Sequence, residues 1–298
     1  MKKTTVKDAS GRYELTGENQ KIGKTVVYRI RALKSFSTGK DGLISVRKGD
    51  LGGFVSDPDR ISGNAWVRED AVVMGGARLT DNSVASGKAV VRGRAVLSKN
   101  AYAGGGSTVS GNARLTDDST VDGFARIFGS ALVGGSAYVL DCAEVSGHAE
   151  VGCRAVVRGK AKVSKCAIVA GLAQVEGNAE ITDYAHVVDV AEVRGQVLVG
   201  GKTLVAGKAN LTGDAVVMEN FDFAVYMNTW SSGRYVTYTR SNGMWRAGCF
   251  YGTGNELAAK AMLDGPRSGM CYAELVKFQE HIDGIRAERA GGSKRFQT

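Results

Sequence analysis

The 298-residue chain has only two prolines, three histidines and five cysteines, and aromatic residues make up 7% of it. With so little proline, no rigid Pro-rich linker separates domains. The cysteines (Cys142, Cys153, Cys166, Cys249 and Cys271) are odd in number and scattered, with no Cys-x-x-Cys and no Cys/His cluster. That pattern argues against a disulfide framework and against a structural zinc, and points to a reducing, cytoplasmic compartment. No run of 18 apolar residues occurs, so no helical membrane span is expected. The start, Met1 to Gly17, is basic but carries no apolar segment, and it is not expected to be a secretory signal. An acidic excess is also missing: the net charge is +9. Mimicry of DNA, which needs a strongly acidic surface, is therefore disfavoured.

What the chain does have is glycine, 41 residues of it, and a six-residue period from Gly63 to Val217. Small residues recur at Ala65, Ala71, Ala77, Ser83, Ala89 and onward to Ala209 and Ala215, with Val197 and Thr203 as the larger exceptions. Two residues after each stands an aliphatic one, from Val67 to Val217, reduced to alanine only at Ala85 and Ala103. Glycine often stands two residues before the small position. The unit G-x-A-x-V-x repeats 26 times without an insertion. Residues two apart in a strand face the same side, so each unit predicts a short strand with two inward side chains. The remaining residues must turn a corner, which glycine eases. Three sides close a triangular coil of 18 residues, and 26 units give about nine coils, a rod of roughly 40 Å at the strand spacing. The interior of such a rod is filled, and both ends need caps.

This period, with small and aliphatic residues in these places, resembles the hexapeptide-repeat left-handed β-helix superfamily over about half the chain. Runs such as "GNAWV", "SGNARL" and "VEGNAEI", and "KGDLGGFV" (Lys48 to Val55) at the entry, are similar to phage and enterobacterial hexapeptide-repeat proteins often labelled transferases. The left-handed sense is implied by the resemblance alone. The expected fold is thus all-β: a left-handed parallel β-helix with an N-terminal β cap (1–60), the helix itself (61–218) and a small C-terminal α+β domain (219–298). Such proteins include acyltransferases and plain scaffolds, so fold does not fix function.

Charge is uneven: +6 in residues 1–60, +1 in 61–218 and +2 in 219–298. The basic cap could meet an anion or nucleic acid, or simply be solvated. In the cap, Thr25–Leu33 and Leu43–Val55 read as strands covering the open first coil. Within the rod, outward residues stack every 18 positions. One column opens Trp66, Val84, Tyr102, Thr120, Tyr138, Val156. It reads as an exposed apolar-aromatic stripe, a subunit interface or docking face, with β-propensity as the plainer explanation. Resemblance to the superfamily, often trimeric, implies a homo-oligomer with the trimer favoured.

His148, at a corner, and His186, facing outward, are the candidate general bases that a hexapeptide acyltransferase using acyl-CoA would need. The unbroken repeat argues against that use, because those enzymes usually throw a loop out of a coil. In the tail, "FAVYMNTW", "RYVTYTR" and "GMWRAGCFYGT" read as strands, with a type I′ hairpin expected at Ser241–Gly243. Two helices follow, Asn255 being the expected cap of the first, while Tyr272, Leu275, Val276, Gln279 and Ile282 mark the inner face of the second. Arg234, Tyr238, Trp245, Arg246 and Thr253 are the candidate ligand-binding residues, since aromatic and basic side chains together can stack a base and hold a phosphate. The helix start after "GCFYGTGNEL" would favour an anion, though it lacks a Walker lysine and a dinucleotide fingerprint. Cys249 has no assigned histidine; His281 lies far along the last helix. "GGSKRFQT" reads as a disordered basic tail. The expected protein is a non-enzymatic, phage-like accessory scaffold in the cytoplasm (the host's, if phage-encoded). Its C-terminal domain would face a host macromolecule or an anionic ligand, with no cofactor and no metal. The alternatives are the acyltransferase and a nucleotide or nucleic-acid binder.

Overall fold

A computed structural model describes residues 11–292, with the side chains of 289–292 left aside. The basic start before Gly11 and the basic tail after Gly292 lie outside the described residues. The chain opens with β1 (Tyr13–Ile22), β2 (Thr25–Ala32), β3 (Phe36–Thr38), β4 (Ile44–Val46) and β5 (Leu51–Val55). Twenty-six two-residue strands follow, β6 (Trp66–Val67), β7 (Val72–Val73) and so on every six residues to β31 (Val216–Val217). They stack into three parallel sheets with an 18-residue register, such as Leu97 on Leu115 on Val133. The result is a parallel β-solenoid of about nine coils. Its core is the expected ladder, with alanines and aliphatic residues from Ala71 to Val217 shut off from solvent.

The corners follow from backbone sterics. One residue per unit takes a left-handed conformation, seventeen times a glycine and nine times another residue, five of those aspartate. Asp tolerates that region better than most residues. Here its carboxylate also serves the next coil: Asp117, Asp141, Asp183 and Asp189 accept the backbone N–H of Gly135, Gly159, Gly201 and Gly207, 18 residues on. Asparagines form a second ladder. Asn64 donates to Asn82, Asn82 to Asn100 and Asn100 to Asp118, while Arg12 donates to Asn64 at the other end.

The corner carboxylates give the rod an acid-sensitive element. A hydrogen bond from the Lys99 ammonium, then one from the Gly135 N–H, holds Asp117 below the ordinary carboxylate range. Lys165 and Gly201 do the same to Asp183. A carboxyl depressed in the folded state adds stability above its unfolded pKa and loses it as pH falls through the folded value. Thermal melting should therefore hold steady down to about pH 4, where carboxyls begin to protonate, and drop below it. In Asp117→Asn/Asp183→Asn the drop should be smaller. An unchanged acid limb in that variant would show that these corners do not carry the effect.

The N-terminal end is closed as expected, with additions. β2 pairs antiparallel with β5, and β5 pairs in parallel with β7, so the ladder begins before the six-residue period does. The strand β1, absent from the sequence reading, pairs with β2 at the edge. Glycines at 52 and 53 are required by close approach. A Cβ on Gly52 would sit 2.6 Å from the Val67 carbonyl, and one on Gly53 2.6 Å from Val67 Cγ1.

The tail forms β32 (Phe223–Met227), β33 (Tyr235–Thr239), β34 (Met244–Ala247), β35 (Phe250–Thr253), α1 (Gly254–Asp264) and α2 (Pro266–Gly292). The four strands make an antiparallel meander. Its two faces have different partners. Phe223 and Val225 pack on the rod core, whereas Val236, Tyr238 and Trp245 pack on Leu257, Ala261, Tyr272 and Val276 of the helices. In the last coil the strand N–H groups have no further coil to bond. Side chains from the tail take them: Asn220 accepts from Leu204, Thr237 from Asn210 and Ser241 from Val216.

Three local readings need correction. The run Met244–Thr253 is two strands turning at Gly248, whose φ is +60°. The turn at Ser241–Gly243 is not type I′, because only Gly243 is left-handed and the loop between Thr239 and Met244 is four residues long. Ser241 is engaged by the rod, which fits the longer loop. The first helix is capped by Thr253, not Asn255, through a capping box with Glu256.

Candidate functional site

The proposed ligand residues divide into two groups. Trp245 is 2% exposed and Tyr238 9%, both within the small core of the C-terminal domain. Trp245 stacks on Tyr226 at 6.0 Å and meets Tyr238 at 4.9 Å. The Tyr238 hydroxyl donates to Asp283 Oδ2 at 2.7 Å. Burial, then that hydrogen bond, pushes its ionisation up. Neither ring offers a face to a base, so they are not the stacking platform the sequence suggested. The reason is strand alternation: positions 236, 238 and 245 face the helices. Thr253 is likewise occupied. Its hydroxyl and N–H bond Glu256, whose carboxylate fills the start of α1 and leaves no anion site there.

Arg234 and Arg246 stay together, and the structure adds partners from the rod. With Lys208 they line a cleft of about 380 Å³ at the joint between the last coil and the sheet. Asn210, Ser232, Gly233, Tyr235 and Gly248 complete the lining, which contains no carboxylate. Arg246 lies on the sheet face opposite Trp245, beside Thr237. Its Nε and the Asn210 Oδ1 are buried, and neither has a hydrogen-bond partner among the described residues. Lys208 Nζ lies 5.0 Å from the Tyr235 ring centre. Among the described residues, none of these three cations is in a salt bridge. A buried guanidinium nitrogen normally has an acceptor. Three cations facing one concavity without an acid repel each other, and an anion relieves that. Lys208 and Asn210 could not be found from sequence, since their repeat unit looks like any other; only the docking of the tail marks them.

A second compartment of about 340 Å³ adjoins the first, sharing Arg234 and Ser232. It lies between the Asn228–Arg234 loop, the β34–β35 hairpin and the two helices. Cys249 is exposed on its wall. His281 does not line it, so the structure does not assemble the cysteine–histidine pair.

Elsewhere, the aromatic column is exposed only in part. Trp66 and Val84 are buried: Phe36 meets Trp66 edge-on at 5.6 Å, and a Cβ on Gly39 would lie 3.8 Å from Val84. The N-terminal hairpin β3–β4 covers them, so they form no exposed interface. Tyr102 and Val156 are half-buried and Tyr138 is 43% exposed. His148 is exposed at a corner, while His186 lines a shallow groove of about 520 Å³ with Tyr184, Lys202 and Leu204. Among the described residues no cluster of metal-ligating side chains occurs, and no helix is long and apolar enough to cross a membrane. Comparison of the chain with known protein families and with curated proteins finds no match.

Proposed function

We propose that the protein is a non-catalytic β-helical scaffold that presents an anion-binding cleft where its C-terminal domain meets the rod. The observation that carries this reading is the grouping of Lys208, Arg234 and Arg246 around one concavity without a carboxylate. The resemblance of the repeats to hexapeptide left-handed β-helices, phage accessory proteins among them, supports a scaffold role. So does the equal length of every coil, which leaves no loop to build an acceptor pocket. The buried Tyr238 and Trp245 weigh against a nucleic acid stacked on the tail. Replacing Arg246 by alanine should weaken binding of inorganic phosphate by on the order of tenfold or more, the value of a charge-assisted hydrogen bond. Calorimetry on the full chain checks this, and equal affinity in both proteins would defeat the reading.

The remaining apolar patch of Tyr102, Tyr138 and Val156 is the proposed contact face of a homo-oligomer, a trimer being favoured. Tyr102→Lys with Tyr138→Lys should lower the size-exclusion mass to that of the 31.4 kDa chain. An unchanged mass would remove this patch from the interface. A second reading, acyl transfer from acyl-CoA with His186 as general base, is favoured by the groove beside that residue. Native mass spectrometry with acetyl-CoA separates the two, since a scaffold retains none.

A further inference from the structure

We infer that the natural ligand of the cleft is a phosphate monoester with a polyhydroxylated body, of the sugar-phosphate class. The phosphate would sit among Lys208, Arg234 and Arg246, and the body in the adjoining compartment. This rests on the anion-binding reading above and goes further by naming what the second compartment recognises.

Three observations carry it. First, the two compartments are one recess: Arg234 and Ser232 line both. Arg234 is held at the divide, its Nη1 3.2 Å from where a Cβ on Gly248 would stand. A guanidinium there can meet a phosphate oxygen on one side and an ester or hydroxyl oxygen on the other, since its donors form a planar fork. Second, the adjoining compartment offers hydroxyl chemistry. Asn228 is buried, and its Nδ2 donates to Ser231 Oγ at 2.8 Å and Tyr272 Oη at 3.0 Å. Both hydroxyls are thereby acceptors for Asn228 and keep their own protons for another partner. Asp264 and Lys260, at the rim of the same compartment, take no part in any ion pair or side-chain hydrogen bond among the described residues. They add an acceptor and a donor. Leu257 and Ala261 supply apolar wall suited to the C–H face of a sugar ring. A polyol presents the same mixture of donors, acceptors and C–H surface. Third, the rings of the adjoining compartment are engaged by the domain core: Tyr272 is buried and meets Trp230 edge-on at 5.1 Å, and Phe250 packs against the same core, while the exposed Tyr235 ring lies in the anion cleft beside Lys208. That favours a sugar over a nucleobase.

The test is calorimetry on the full chain with inorganic phosphate, glucose, glucose 6-phosphate and a short oligothymidylate as probes. Glucose 6-phosphate should bind about tenfold or more tightly than phosphate, several neutral hydrogen bonds being gained. Asp264→Ala, at an exposed position, should weaken glucose 6-phosphate by about three- to tenfold, one hydrogen bond, and leave inorganic phosphate unchanged. Tyr272→Phe should act in the same sense. Arg246→Ala should weaken both phosphates together. Equal affinity for phosphate and glucose 6-phosphate, or no effect of Asp264→Ala on either, overturns the sugar-phosphate inference while leaving the anion cleft standing. Binding of the oligonucleotide alone, lost in Arg246→Ala, does the same. Failure of every anion to bind, with folded protein confirmed by circular dichroism, removes the cleft reading itself.

Discussion

Trp245→Ala is expected to unfold the C-terminal domain while leaving the solenoid folded. Trp245 is the largest fully enclosed side chain of a core whose other buried apolar members, among the described residues, are Val236, Tyr238, Leu257, Ala261, Tyr272 and Val276. Its ring contacts Tyr226 and Tyr238. Their hydroxyls in turn reach Gln279 and Asp283 on α2. Truncating a buried tryptophan costs about 3–5 kcal/mol. A domain of this size has on the order of 4–12 kcal/mol in all, so little remains. The rod does not share this core: its ladder is a separate apolar cluster, against which Phe223 and Val225 of the tail pack. Two unfolding transitions should appear, the lower one shifted by the mutation, with trypsin cleaving first beyond residue 219. Anion binding should vanish at the same time, because Arg234 and Arg246 are carried by the sheet. A single transition that moves as a whole would mean that the rod and its cap form one cooperative unit.

Leu115→Ala should cost about 2–5 kcal/mol, toward the upper end of the range for a buried leucine. Leu115 is wholly buried between Leu97 and Val133 in the stack. Collapse around the missing atoms is resisted by backbone bonds on both sides. Ser98 N–H donates to the Leu115 carbonyl at 3.0 Å, and Thr116 N–H to that of Val133 at 3.0 Å. These fix the coil spacing, so the cavity persists. Leu204→Ala is the internal control: it lies in the same sheet but is 48% exposed. A surface change of that kind stays within about 0.5 kcal/mol. Urea denaturation followed by circular dichroism reads both. Equal costs at the two positions would sink the view of the interior as a close-packed ladder.

The period was legible because a solenoid's geometry is local. Each coil meets only its neighbours, so inward and corner positions recur at fixed spacing, and Ala131, Val133 and Gly135 could be assigned without any partner being known. The same locality made the outward column misleading at its start. Trp66 and Val84 look like Tyr138 in the repeat, and only the return of β3–β4 decides that they are covered. The tail reversed the problem. Strand alternation in "RYVTYTR" and "GMWRAG" was plain, but which face meets the helices and which meets the rod was not. That choice buried Tyr238 and Trp245, left Arg234 and Arg246 lining the joint, and brought Lys208 and Asn210 from an ordinary repeat to meet them. The sequence by itself determined the coil, its core and its corners, since those depend on residues six and eighteen apart. Only the tertiary structure decided the site, since it is made by the docking of two surfaces whose contact no short-range pattern encodes.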